Sequence, residues 1–164
     1  MEINMAAEAL RLAERYNFAV FPVQPPVIGD PKTGKLPLIK GWPEAATTDP
    51  IQIETWWSRR PNANIGVATG KKSDVWVLDV DVKHDGLASL EKLAAESGED
   101  WLPTMTALTG SFGLHFYFRY DASRPVKNSV SKIAPGLDVR GDGGYVVAPP
   151  SLHAIGNRYT WMNQ

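Results

Sequence analysis

The chain contains no cysteine. That excludes a disulfide framework, a thiolate zinc site and a thiol nucleophile. Long apolar runs are also missing, and the N-terminal MEINMAAEALRLAERY has no basic segment leading into an apolar one. This pattern predicts neither a signal peptide nor a membrane span, and makes a cytoplasmic protein the expectation. Excess charge is absent too: 17 Lys+Arg against 18 Asp+Glu give a net charge of −1. At first sight that argues against nucleic acid, whose binders carry a basic excess. What is present is 164 residues, 43% hydrophobic, with 14 Gly and 13 Pro. This is the size of one domain, able to bury roughly 70% of the surface its unfolded chain exposes.

Met5 to Tyr16 reads as a helix, because Ala6, Ala9, Leu10 and Ala13 recur at helical spacing opposite Glu8, Arg11, Glu14 and Arg15. Phe18 to Val23 reads as a strand, and Val27 to Gly41 as a long Pro-, Gly- and Lys-rich loop of the kind that is functional or disordered. Asp49 followed by Pro50 is a helix start. The β-type runs Asn64–Thr69 and Val75–Val82 come next, then a helix over Leu87–Ser97. Beyond Thr104 short β pieces dominate: Thr104–Leu108, Leu114–Tyr120, Leu137–Arg140, Tyr145–Ala148 and Tyr159–Trp161. The pattern predicts a single α+β domain over 1–164, with a helix-rich unit at about 1–100 and a sheet-rich unit at about 101–164.

The segment VWVLDVDV reads as a buried strand carrying Asp79 and Asp81 near its C-terminal end. Strand periodicity puts both carboxylates on one face, with Cα atoms about 6.5–7 Å apart. Two carboxylates so placed repel unless something neutralises them, and a divalent metal does so economically. All-oxygen ligands favour Mg²⁺ or Mn²⁺, and a pair of such ions is the usual apparatus of phosphoryl transfer. The bland alternative is that the acids simply end the strand in solvent.

His115 opens an alternating strand beside a turn containing Thr109, Gly110, Ser111 and Gly113. It is either a phosphate donor, together with backbone N–H groups, or a structural histidine. A third acid, Asp138, sits on GLDVRGDGGYVVAPPS with Arg140 two residues on and on the same face. Asp138 is placed to complete a three-carboxylate site, and Arg140 to meet phosphate oxygens. Gly141, Gly143 and Gly144 predict a tight hairpin with Asp142 serving the turn.

Taken in order, these residues resemble the primase-polymerase (prim-pol) domain of the archaeo-eukaryotic primase superfamily, found in plasmid, phage and prophage replication proteins. The resemblance runs from Lys35-Leu36-Pro37 and Lys40-Gly41-Trp42, through the Trp56-Trp57 helix and Asn64 to Gly70, to Leu78-Asp79-Val80-Asp81. It continues through Gly113-Leu114-His115, Gly136 to Gly141, Gly144 to Ser151 and Tyr159-Thr160-Trp161. It implies a fold pairing an α/β unit with a sheet unit like an RNA-recognition fold, the active site lying in the cleft between them. It implies that Asp79, Asp81 and Asp138 hold two Mg²⁺ or Mn²⁺ ions and that His115 meets the phosphates of an incoming nucleotide. The family's Ser-x-His pattern is altered here: Gly113 stands where that serine often stands, and Ser111 lies two positions earlier. No zinc is expected, since the chain has no Cys and only His84, His115 and His153.

The function implied is template-directed DNA primase/polymerase chemistry, transferring a nucleotide from an NTP or dNTP to a 3′-hydroxyl on a single-stranded DNA template. A helicase domain or protein C-terminal to this chain is the expected companion, with no membrane partner. Lys40 and Arg140 are further candidates for the triphosphate, Lys40 with the alternative of a solvated loop lysine. Trp42, Trp56 and Trp57 suit base stacking or, more simply, core packing. His84 in its turn and His153 call for no function. The rival functions are a two-metal phosphohydrolase or nuclease, and a non-catalytic nucleotide- or nucleic-acid-binding module. Charge does not oppose the polymerase reading once it is divided along the chain. Residues 1–100 carry 11 basic and 15 acidic groups, whereas residues 101–164 carry 6 and 3. The distribution predicts modest, salt-sensitive DNA affinity.

Overall fold

The computed structural model describes residues 3–98 and 104–163. Helix α1 spans Met5–Tyr16; the Asn4 side chain caps it by accepting from the Ala7 N–H, and Asn17 ends it in the left-handed region at φ 56°. Strand β1 (Val20–Val23) follows, then the long loop, the short helix α2 (Trp42–Ala45) and helix α3 (Pro50–Arg59). The start of α3 is as predicted, with the Asp49 carboxylate accepting from the Ile51 N–H and Pro50 in the first turn. Strands β2 (Asn64–Ala68) and β3 (Val75–Val80) lead through a 3₁₀ turn at Val82–His84 into helix α4 (Gly86–Ser97). Strands β4 (Met105–Leu108), β5 (Leu114–Arg119), β6 (Leu137–Arg140), β7 (Tyr145–Ala148) and β8 (Thr160–Asn163) complete the chain. Among the described residues no helix is long and apolar enough to cross a membrane.

The strands form two antiparallel sheets, a small one ordered β1-β2-β7 and a larger one ordered β6-β3-β5-β4-β8. This is an α+β arrangement, as expected. The division into halves is not a division between sheets, however. Strand β3 from the first half lies in the larger sheet and β7 from the second half in the smaller one, while the expected boundary near residue 100 lies outside the described residues. Strands β3 and β4, joined through α4, run parallel with β5 inserted antiparallel between them, a split β-α-β unit. The return from β5 to β6 contains no helix.

Alternation along β3 decides which face does what. Val75 and Val77 belong to the main core, where α1, α3 and the small sheet meet the larger sheet through Leu12, Ile53, Trp57, Val67 and Tyr117. On the opposite face Leu78 and Val80 pack with Leu90, Leu137 and Phe116 beneath α4. A third cluster on the outer face of the small sheet gathers Phe21, Val23, Val147 and Tyr159, with Trp42 and Tyr145 against it. Asp79 continues the core-facing series of β3 just where that packing runs out.

The expected hairpin at Gly141–Gly144 is corrected by the structure. The Gly144 N–H does donate to the Gly141 carbonyl, but β6 and β7 lie in different sheets, so the glycines carry the chain from one sheet to the other. Only glycine passes at this crossing: a Cβ on Gly141 would lie 2.0 Å from the Val126 carbonyl oxygen. Asp142 does more than serve a turn, since its carboxylate accepts from the Tyr120 hydroxyl at 2.6 Å and from the Lys71 N–H at 2.9 Å.

Those two hydrogen bonds hold the Asp142 carboxyl below the usual carboxylate range, the Tyr120 bond being the larger cause. A carboxyl lowered in the folded state contributes stability above its unfolded pKa of about 3.9, and that contribution is lost as pH falls through the folded value. Tyr120→Phe is therefore expected to move the Asp142 titration upward, read by carboxyl ¹³C NMR, and to start acid unfolding at a higher pH. An unmoved titration would remove Tyr120 from this account.

Candidate active site

The register of the larger sheet brings the predicted residues into one lateral row. Asp79 on β3 lies directly opposite Asp138 on β6 and directly opposite His115 on β5. Directly opposed residues share a face of the sheet. The row therefore runs carboxylate, carboxylate, imidazole across three adjacent strands, and Arg140 lies beside it on the face of Asp138. His115 Nε2 is 3.4 Å from Asp79 Oδ1, and Arg140 Nη2 is 3.6 Å from Asp79 Oδ2 and 3.0 Å from Asp138 Oδ2. The second Asp138 oxygen accepts from the Ser131 N–H at 2.9 Å. A guanidinium thus bridges the two acids that face each other.

Burial works to raise the Asp79 carboxyl, but the opposing influences of His115 above all, then of Arg140 and Lys35, hold it below the ordinary carboxylate value. Its ionised form is the folded state's form at neutral pH. His115 is 5% exposed, and its Nδ1 has no hydrogen-bond partner among the described residues. Burial and then the Asp79 charge push up the Tyr117 and Tyr159 phenols behind the row, which keeps both neutral.

At the row opens a pocket of about 290 Å³ whose lining includes Asp79, His115, Arg140, Lys35, Trp42 and Tyr145. Trp42 and Tyr145 pack edge to face at 4.8 Å, with Phe21 stacked on Trp42 from below. The Tyr145 hydroxyl donates to the Lys35 carbonyl at 2.9 Å, which ties the middle of the long loop to this aromatic pair.

A family model described as "Bifunctional DNA primase/polymerase, N-terminal" matches residues 9–164. The chain belongs to the Prim-Pol family. No curated protein matches it.

Read along this Prim-Pol chain, the site residues named from sequence are only partly brought together. Asp79, Asp138, His115 and Arg140 converge. Asp81 stands apart from them: β3 ends at Val80, and the Asp81 carboxylate caps the 3₁₀ turn, accepting from the Lys83 N–H at 2.9 Å and meeting His84 Nδ1 at 2.8 Å. Strand periodicity places the Asp81 backbone correctly, but a local cap competes for its side chain. His84, left without a role from sequence, is the partner in that competition. Ser111 Oγ lies 3.2 Å from Thr109 Oγ1 and is absent from the pocket wall, as is Lys40.

Lys35 takes the place in the wall that Lys40 was expected to fill, and the lysine spacing of the loop held no signal to choose between them. Tyr145, Asn128 and Tyr159 are further wall residues that sequence reasoning missed. Of the three tryptophans, Trp57 is core at 1% exposure, Trp56 packs against the core, and Trp42 faces the pocket.

Glycine at position 113 has a physical reason. A Cβ there would lie 2.4 Å from the Val80 carbonyl oxygen, a backbone atom that cannot swing aside. Gly113→Ser is accordingly expected to cost about 1–3 kcal/mol, measured by urea unfolding. It should add nothing to activity. A variant as stable as the wild type would show that β3 and the turn yield without cost.

Asp79 and Asp138 are all-oxygen donors facing one another, they already hold a cationic group between them, and their chemistry suits a hard divalent ion. Among the described residues no three His, Asp or Glu side chains converge as a metal-ligating group. The third carboxylate, Asp81, would have to leave its cap to join them.

Proposed function

We propose that this chain carries out template-directed nucleotidyl transfer, adding nucleotides from an NTP or dNTP to a 3′-hydroxyl on single-stranded DNA. Membership of the Prim-Pol family supports primase/polymerase chemistry. The observation that carries the finer reading is the Asp138–Asp79–His115 row, with Arg140 beside it and Lys35 lining the same pocket. Asp79 and Asp138, joined by Asp81, are the residues that would hold Mg²⁺ or Mn²⁺. When bound, such metals supply Lewis acidity at the attacking 3′-oxygen, at the α-phosphate and at the departing pyrophosphate.

The chain's own residues have separable tasks in this proposal. Arg140 moves from neutralising the two acids to meeting phosphate oxygens, where its planar fork suits bidentate contact. Lys35, in the lining of the same pocket, provides the second cation for the triphosphate. His115, fixed by burial and aimed at Asp79 through Nε2, donates to a phosphate oxygen when the nucleotide enters. Trp42 and Tyr145 form a rigid aromatic wall against which the base or sugar of that nucleotide rests.

A second reading is favoured by one specific observation, the commitment of Asp81 to its cap and to His84. It makes the chain a nucleotide- or nucleic-acid-binding module without catalysis. A gel assay separates the two: wild-type protein, single-stranded DNA with and without a primer, Mg²⁺ or Mn²⁺, and ribo- and deoxyribonucleotides in turn. Extension with release of pyrophosphate supports the polymerase. DNA binding without incorporation under every condition overturns it in favour of the binding module, and strand cleavage overturns it in favour of a nuclease.

A further inference from the structure

Phe112 is a large apolar side chain left 62% exposed, and its backbone sits at φ 68°, in the left-handed region that favours glycine. The turn that presents it is firmly built. The Thr109 N–H donates to the Gly113 carbonyl, the Phe112 N–H to the Thr109 carbonyl, and the Gly113 N–H to Thr109 Oγ1. From one side Gly113 closes against the Val80 carbonyl oxygen. From the other, Gly110 closes against the Cβ of buried His153, and its carbonyl accepts from the Asn157 amide. The ring is thus held out in solvent at a backbone angle that costs an L-residue energy, three positions before His115. Strain kept together with exposure points to a task outside the fold.

The surroundings say what kind of partner fits. The turn adjoins the end of β3, where Val80 leads into Asp81, so Phe112 stands at the end of the sheet that also carries Asp79 and His115. Lys83 comes three residues after Val80, whose carbonyl Gly113 approaches, and Lys35 lines the pocket that His115 also lines, so cations belong to segments neighbouring the turn. Ile155, 47% exposed, sits on the loop between His153 and Asn157, the two residues that Gly110 packs against. A flat aromatic surface with cations on neighbouring segments is the composition of a single-stranded nucleic acid platform, on which bases stack while phosphates follow the charges. An apolar protein partner would need no such cations.

We infer that Phe112 is a stacking platform for an unpaired base of the DNA strand as it enters or leaves the active site. This rests on the polymerase reading only for the identity of the strand. The role is one of strand binding, separate from contact with the incoming nucleotide.

The test is fluorescence anisotropy with a short oligo(dT) and with the same oligonucleotide made abasic, at fixed salt, comparing the wild type with Phe112→Gly and Phe112→Leu. Glycine relieves the backbone strain, so Phe112→Gly should melt at or above the wild-type temperature, which keeps misfolding from imitating the result. The expected loss of oligo(dT) affinity is roughly tenfold for Phe112→Gly. The abasic strand should weaken wild-type binding by a similar factor and leave Phe112→Gly unchanged. In primer extension the KM for primer-template should rise while the KM for nucleotide stays put.

The inference is overturned if Phe112→Gly binds oligo(dT) as the wild type does, if it remains as sensitive to base removal, or if the wild type does not bind the oligonucleotide. If the wild type binds and responds to Phe112→Gly yet never incorporates nucleotide, the polymerase reading fails and the platform stands. If the wild type incorporates nucleotide and Phe112→Gly changes nothing, the platform alone fails.

Discussion

Asp79→Asn is expected to reduce nucleotide incorporation by a hundredfold or more, on the order of what removing one preorganised electrostatic contact costs an enzyme. The exchange is nearly isosteric, so the row across β6, β3 and β5 keeps its shape. What disappears is the charge that both His115 and Arg140 approach, at 3.4 Å and 3.6 Å. Arg140 retains Asp138 at 3.0 Å, whereas His115 loses the only ion-pair contact the structure gives it among the described residues. The Asp79 carboxyl is lowered in the folded state, so its contribution to stability is present above the ordinary carboxylate pKa and vanishes as pH falls through the folded value. The variant should therefore unfold at a lower temperature than the wild type at neutral pH, with the difference shrinking in acid. Single-turnover extension and pH-dependent melting read the two effects separately. Wild-type incorporation by a folded Asp79→Asn protein would remove Asp79 from the chemistry.

Trp57→Ala is expected to cost about 3–5 kcal/mol of stability. That is a large part of the 5–15 kcal/mol typical of a domain. Trp57 is 1% exposed and lies where α3 meets α1 and the small sheet, among Met5, Ala9, Leu12 and Ile53. Its indole N–H also donates to the Ala63 carbonyl at 3.1 Å, which fixes the chain between α3 and β2. Alanine would leave a cavity at this junction and a buried carbonyl without its donor. Urea denaturation gives the loss directly. Trp57→Phe should recover most of it, because the ring volume returns and only the hydrogen bond stays missing. If Trp57→Ala unfolds at the wild-type midpoint, the junction is not the keystone of the first core.

Much of this fold was legible in the sequence because it is written in local signals. Asp49-Pro50 is a helix start by its chemistry, and the alternation of LHFYFR specifies a strand with His115 and Tyr117 on one face. The pairing of Asp79, His115 and Asp138 was readable only as a coincidence of three short motifs, and the register shows why the coincidence matters. Sheet membership was not legible. GLDVRGDGGYVVAPPS looks like a hairpin because glycines between two β-type runs suit both a tight turn and a crossing squeezed against Val126.

Side-chain competition was hidden for a similar reason. Asp81 satisfies strand periodicity and an Asx-type cap equally well, and only the termination of β3 at Val80 decides between them. Lys35 and Lys40 differ in nothing but their place along a loop whose path is set by a distant tyrosine. Phe112 carries no motif; its meaning lies in a backbone angle.

The interleaving of the two sheets has a consequence for how the protein comes into being. The Asp138–Asp79–His115 row needs β3, β5 and β6, and the small sheet needs β7 beside β2, so neither sheet can close on the first half of the chain. A nascent chain stopped before Asp138 would carry Asp79 and His115 but lack one acid and the arginine that balances both. Long-range pairing of this kind folds slowly, since loop-closure entropy is spent before the contacts form. The complete row should therefore arrive late and all at once during synthesis, and a ribosome releasing its product early would release a chain without it.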